Sequence, residues 1–380
     1  MSFEALGLPP SLVTILEREK YDKPYPIQEQ AIPEILNGKD VLGIAQTGSG
    51  KTASYVLPVI ARLKGLDKPK DRKPDVLVLV PTRELAEQVK DVFNLFERGF
   101  EHDVKTMAIY GGVSINPQMK SLFGVSIIVA TPGRLLDLVD SNAVHLDKVQ
   151  ILILDEADKL LNMGFKDEMN RIFDMLPKKR QNLLFSATLS EKLDGLNTVL
   201  LQNPITVKVN TEEWNIEQIN QISYSIDEDK KGPFLRYLIK SKEMQQVLVF
   251  TASTYKADNV ADKLRKNGID ARAIHGKKNQ NSRNQALKDF KEGRIRVLVA
   301  TDLLARGIDI EFLPHVINYE LPRSPKDYVH RIGRTGRAEA SGEAISLITP
   351  EDEHHFKIIQ KKMKIKVDRI DGNDIEIGKS

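Results

Sequence analysis

The chain is 380 residues long, more than a single hydrophobic core usually serves, so two domains are expected. Its 41% hydrophobic and 29% charged residues are the balance of a globular protein, and a formal net charge of +3 is too small to mark a nucleic-acid binder by composition. The absence of cysteine excludes disulfides and thiolate metal sites; no apolar run reaches the ~18 residues of a membrane span, and Met1-Ser2-Phe3-Glu4 lacks the basic start of a signal peptide, so a cytoplasmic protein is expected.

In chain order, short apolar runs alternate with helical stretches, and they do so twice. The first half carries runs at Val41 to Ile44, Val76 to Val80, Ser126 to Ala130, Ile151 to Leu154 and Asn182 to Phe185. Each is rich in Val, Ile and Leu without alternation, as in strands buried on both faces. Helices are predicted between them, as at Thr82 to Phe96 and Phe165 to Met175. Val209 to Gln221 is polar with little sign of a core, which predicts a domain at 1–210, a linker at 211–215 and a second domain at 216–380. The second half repeats the scheme at Val247 to Phe250, Ala271 to Ile274, Val297 to Ala300, Val316 to Ile317 and Glu343 to Ile348. Alternation of this kind implies two parallel α/β sheets flanked by helices. From Gly372 onward the chain reads as loosely held, and Lys361 to Lys366, the densest basic cluster, fits a nucleic-acid path or a solvated helix face equally.

The strongest local signal is Ala45-Gln46-Thr47-Gly48-Ser49-Gly50-Lys51-Thr52, set between a predicted strand and a predicted helix. In that context glycines let backbone N–H groups converge on phosphate oxygens, the helix N-terminus adds positive potential, and Lys51 reaches the terminal phosphates. Thr52 would give a hydroxyl to Mg²⁺. A second element is Asp155-Glu156-Ala157-Asp158, which follows directly on Ile151-Leu152-Ile153-Leu154. Carboxylates at the end of a buried strand are costly unless a cation or hydrogen bonds compensate them. Asp155 is therefore a candidate Mg²⁺ ligand and Glu156 a candidate for orienting or deprotonating an attacking water.

The same four residues spell the signature of the DEAD-box RNA helicases, and the chain resembles that family over nearly its whole length. Pro81-Thr82-Arg83-Glu84-Leu85-Ala86, Gly111-Gly112, Thr131-Pro132-Gly133-Arg134 and Ser186-Ala187-Thr188 follow the family's order in the first half. Val249-Phe250-Thr251, Gln280 with Arg283, Ala300-Thr301-Asp302, Arg306-Gly307-Ile308-Asp309 and His330-Arg331-Ile332-Gly333-Arg334-Thr335-Gly336-Arg337 follow it in the second. The resemblance implies two tandem RecA-like domains, ATP and Mg²⁺ as ligands, and RNA as partner, with a monomer as the default.

It also implies roles. Within Pro24-Tyr25-Pro26-Ile27-Gln28, Gln28 would read the adenine edge, and Phe3 would stack on the ring. Lys20 and Tyr25 depart from the family's usual glycine and small hydroxyl residue, which puts a hydrogen bond from this segment to the phosphate loop in question. Asp309 would accept from the ribose hydroxyls, and Arg334 and Arg337 would reach the γ-phosphate when the two lobes close. Pro81, Thr82, Arg83, Gly112, Thr131, Arg134, Thr251 and Thr301 would line the RNA, contacting its backbone and so carrying no base information. Asp158, Ser186, Thr188 and His330 would couple closure to local strand separation. An ATP-gated RNA clamp with little unwinding, or a catalytically silent RNA-binding scaffold, would use the same residues.

Overall fold

The computed structural model describes residues 1–45, 49–64, 69–97, 104–188, 195, 200–209, 219–302, 313–335 and 342–375. The chain divides into two compact units, Met1–Thr211 and Glu212–Ser380. The expected linker at 211–215 lies outside the described residues.

In the first unit the elements run α1 (Pro10–Arg18), α2 (Pro26–Leu36), β1 (Val41–Ile44), α3 (Lys51–Leu63), β2 (Val76–Leu79), α4 (Arg83–Glu97) and β3 (Thr106–Ile109). There follow α5 (Ile115–Ser121), β4 (Ile127–Ala130), α6 (Pro132–Asp140), β5 (Ile151–Leu154), α7 (Ala157–Asn162), α8 (Lys166–Asp174), β6 (Gln181–Ser186) and β7 (Ile205–Lys208). The strands form one sheet in the order β3-β4-β2-β5-β6-β1-β7, and every pairing is parallel. Parallel strands must be covered on both faces by their crossover helices. The side chains show it: Val41, Val76, Val78, Ile151, Ile153 and Phe185 enter one core cluster, while Leu42, Leu77, Leu79, Leu152, Leu154 and Leu184 enter the other. That two-sided burial is why the apolar runs do not alternate.

The second unit holds β8 (Asn220–Ser225), β9 (Val247–Thr251), β10 (Ala271–Ile274), β11 (Val297–Thr301), β12 (His315–Asn318), β13 (Glu343–Ile348) and β14 (Asp368–Asp371). Their order is β10-β11-β9-β12-β13-β8-β14, which repeats the order of the first sheet strand for strand. The two units are therefore copies of one RecA-like topology.

Two expectations need correction. The stretch Val209 to Gln221 is not wholly without structure, because β8 begins at Asn220 and Ile219 is buried. The chain beyond Gly372 is not loose at its start: the Gly372 N–H donates to Ser225 O at 2.8 Å, and a side chain at 372 would meet that carbonyl at 3.0 Å. Among the described residues, no helix is long and apolar enough to cross a membrane.

Candidate functional site

In the first sheet β6 lies between β1 and β5, with Ile44 level with Ser186 and Leu154 level with Leu184. The segments that leave the C-terminal ends of these three strands therefore meet at one edge, where ligands of open α/β sheets bind.

Gly50 caps α3 in the left-handed region at φ +85°. A Cβ there would also lie 2.5 Å from the Gln28 amide nitrogen, so the position needs glycine on two counts. Lys51, the first residue of α3, is buried and donates to its own loop at Ala45 O, 2.5 Å away. Burial pulls its pKa down, opposed by Asp155 and Glu156. Ser49 and Thr52 are half-buried on either side; Thr47 and Gly48 lie outside the described residues.

Asp155 and Glu156 are both buried, and burial raises both pKa values. Each carboxylate is nonetheless held. The Tyr55 hydroxyl donates to Asp155 Oδ2 at 2.8 Å, and the Glu156 N–H donates to Asp155 Oδ1 at 2.8 Å. Glu156 adopts φ +52°, an uncommon left-handed conformation for a residue with a side chain. Its Oε1 accepts from Lys159 Nζ at 2.6 Å, whereas Oε2 is buried without a partner among the described residues. Asp158 Oδ2 accepts from the Thr188 hydroxyl at 3.0 Å, and its Oδ1 is likewise unpartnered. Ser186 Oγ donates to Thr188 O at 2.9 Å, so Asp158, Thr188 and Ser186 form one chain of hydrogen bonds. The Asp155 carboxylate is buried beside the Lys51 ammonium at the foot of a glycine-opened helix and keeps lone pairs beyond its two hydrogen bonds, a donor that fits a phosphate-bound divalent cation.

Gln28 is buried, with its amide oxygen accepting from the Tyr25 N–H at 2.9 Å and its nitrogen donating to Gly50 O at 3.1 Å. The link to the phosphate loop that Tyr25 put in question is thus made by Gln28 itself. One amide N–H and one lone pair remain for a base edge. Phe3 is 4% exposed and packs in the core with Leu6 and Leu8, a packing role in this structure.

A second cluster sits at the ends of β2, β3 and β4. Gly112 has φ +78°, and a Cβ there would lie 1.9 Å from Arg83 Nη1, so the guanidinium rests on bare backbone. Arg134 Nη2 donates to Val113 O at 2.9 Å, while its Nη1 is buried with no partner among the described residues. Two guanidinium groups thus flank one turn. Thr82 Oγ1 accepts from the Leu85 N–H at 3.2 Å and keeps its own proton to donate. Pro81 and Thr131 are buried beside them, the latter 9% exposed at the start of α6.

In the second unit Thr251 and Thr301 end the adjacent strands β9 and β11 in register. Thr251 is fully buried and donates to Ser253 O at 3.3 Å. His330 and Arg331 share the helix Pro325–Ile332. Arg331 is committed internally by four hydrogen bonds: Nε and Nη2 bind the two oxygens of Asp302 at 2.5 and 2.9 Å, and Nη1 donates to Asn318 Oδ1 at 2.9 Å and Glu320 O at 2.6 Å. Its guanidinium also lies 4.8 Å from the Phe250 ring centre. Arg334 is buried just past the helix. Arg337 and Asp309 lie outside the described residues.

The model of the DEAD/DEAH box helicases matches residues 25–196, and that of the helicase conserved C-terminal domain matches residues 230–339. The DEAD-box ATP-dependent RNA helicase CshA of Bacillus subtilis is 38% identical over 371 residues, 97% of this chain and 74% of that protein. The chain belongs to the DEAD-box ATP-dependent RNA helicases. A CshA helicase of Listeria monocytogenes is also 38% identical, over 95% of this chain and 69% of its own length. Among solved structures, Saccharomyces cerevisiae Dbp5 bound to RNA and ADP BeF3 matches with a TM-score of 0.84 and 33% identity, covering 98% of this chain and 96% of that one. A DEAD box protein of the hyperthermophile Methanococcus jannaschii is 36% identical, with a TM-score of 0.55 and coverage of 97% and 99%.

Two residues of this DEAD-box site escaped the sequence reading, Tyr55 and Lys159. A signal existed for both: Tyr55 is four residues from Lys51 and Lys159 is three from Glu156, and residues so spaced share a helix face.

Proposed function

We propose that this ATP-dependent RNA helicase binds RNA without sequence preference and separates short duplexes locally, with hydrolysis coupled to the joint action of its two units. The observation that carries the proposal is the edge of the first sheet. There Lys51, Asp155 and Glu156 are buried together, and Asp158–Thr188–Ser186 runs beside them.

In this reading Thr47, Gly48, Ser49, Gly50 and Lys51 hold the phosphates, Thr52 and Asp155 hold Mg²⁺, and Gln28 takes the adenine edge. The cation, when bound, neutralises charge on the phosphate oxygens. Glu156, with Oε1 held by Lys159, turns Oε2 to the attacking water and takes its proton as the γ-phosphorus bond to the bridging oxygen breaks. Arg334 and Arg337 stabilise the charge spread over the transferred group, and Asp309 accepts from the ribose. On the RNA side, Pro81, Thr82, Arg83, Gly112, Thr131 and Arg134, with Thr251 and Thr301 of the second unit, contact phosphates and 2′-hydroxyls. This reading is supported by Arg134 Nη1, which has no partner among the described residues, and by the guanidinium groups either side of the Gly112 turn. His330 joins Asp158, Ser186 and Thr188 in coupling, so that each ligand favours the arrangement the other needs. A cytoplasmic location belongs to the same proposal, since ATP and RNA meet there.

Release of a labelled strand from a short RNA duplex tests it. ATP-dependent release that is indifferent to sequence and absent for a DNA duplex is expected. RNA-stimulated hydrolysis without strand release would leave an ATP-gated clamp instead.

A further inference from the structure

Tyr55 stands on α3 one turn beyond Lys51, fully buried, with its ring between Phe93 and Phe185 at 6.5 and 5.2 Å between ring centres. Those contacts account for the ring but not for the hydroxyl, which needs a partner at such depth. The hydroxyl donates to Asp155 Oδ2 at 2.8 Å. The other oxygen of Asp155 accepts from the Glu156 N–H at 2.8 Å, so the carboxylate is held at both ends.

We infer that Tyr55 is a positioning residue for the divalent cation: a buried phenol that holds the Asp155 carboxylate, and so its free lone pairs, in one arrangement. The inference rests on the proposed metal role of Asp155 and adds a residue that touches neither the metal nor the nucleotide. Partners that orient metal ligands typically change metal affinity by about 10–100-fold when removed. A phenylalanine at 55 keeps the ring contacts and deletes only the oxygen.

The test is binding of a fluorescent ADP to the full chain, first in EDTA and then across a Mg²⁺ titration, for wild type, Tyr55→Phe, Asp155→Asn and the double variant. Tyr55→Phe is expected to bind ADP in EDTA as wild type does and to need about tenfold more Mg²⁺ to reach its half-point. Asp155→Asn is expected to shift the half-point at least as far, and the double variant no further than Asp155→Asn alone. A shift in Asp155→Asn with none in Tyr55→Phe would overturn the positioning role and leave the metal role of Asp155 standing. No shift in either would remove both. A double variant whose shifts multiply would also overturn the inference, since it would show Tyr55 acting apart from Asp155.

Discussion

Replacing Arg331 with methionine removes the centre of the polar interior of the second unit. The guanidinium is 2% exposed and makes four hydrogen bonds, two to Asp302, one to Asn318 Oδ1 and one to Glu320 O. Methionine fills a similar volume, so the loss is electrostatic rather than a cavity. Breaking a buried ion pair by removing one partner costs about 3–5 kcal/mol. The Asp302 side chain is 28% exposed and regains some water, which sets the pair toward the lower figure. Asn318 is fully buried, and its orphaned oxygen adds roughly 1 kcal/mol. A total near 4 kcal/mol follows, which for a unit of this size corresponds to a fall in Tm of roughly 10 °C. Arg331→Lys should recover less than half, because an ammonium cannot make the two-pronged contact with Asp302. Urea unfolding followed by hydrogen exchange in peptides covering β9 and β12 reads the second unit by itself. A loss below about 1 kcal/mol in Arg331→Met, or full recovery in Arg331→Lys, would refute the assignment of Arg331 to the interior.

Gly112→Ala should cost about 1 kcal/mol of stability from its φ of +78° and displace the Arg83 guanidinium. The RNA concentration that half-saturates binding, measured by fluorescence anisotropy, should rise about tenfold. The His315 ring, with Nδ1 3.6 Å from the carboxylate, and the Lys242 ammonium, which donates to it at 2.5 Å, hold the Glu343 carboxyl below the usual range against the opposing effect of burial. Its contribution is then present above the unfolded value and lost as pH falls through the lower folded one. Glu343→Gln should therefore destabilise the second unit by roughly 1 kcal/mol at pH 6 and by progressively less as the pH is lowered into the acid range, a trend read by urea titrations at a series of pH values.

The central strands were legible because burial on both faces writes an unbroken apolar run, as in Val76–Leu79 and Ile151–Leu154. Strands with one face in water, or with polar neighbours, were not. Ile205–Lys208 buries only Val207, all four residues of Asp368–Asp371 are exposed, and Asn220–Ser225 is polar throughout most of its length. Thr106–Ile109, at the edge of the first sheet, is only partly covered. In the site, the glycine loop and the acidic run carried their chemistry in their order along the chain. Arg331 and Arg334, three residues apart, look alike in sequence. Only the approach of Asp302, Asn318 and Glu320 from elsewhere in the chain marks Arg331 as interior. Tyr55 was hidden for the same reason, since its partner is 100 residues away.

Steady-state ATP hydrolysis with and without single-stranded RNA, in wild type and in Glu156→Gln, tests the coupled mechanism most directly. Strong stimulation by RNA, lost in Glu156→Gln while ATP still binds, is the predicted result. Hydrolysis that ignores RNA, or that survives the loss of the Glu156 carboxylate, would contradict it.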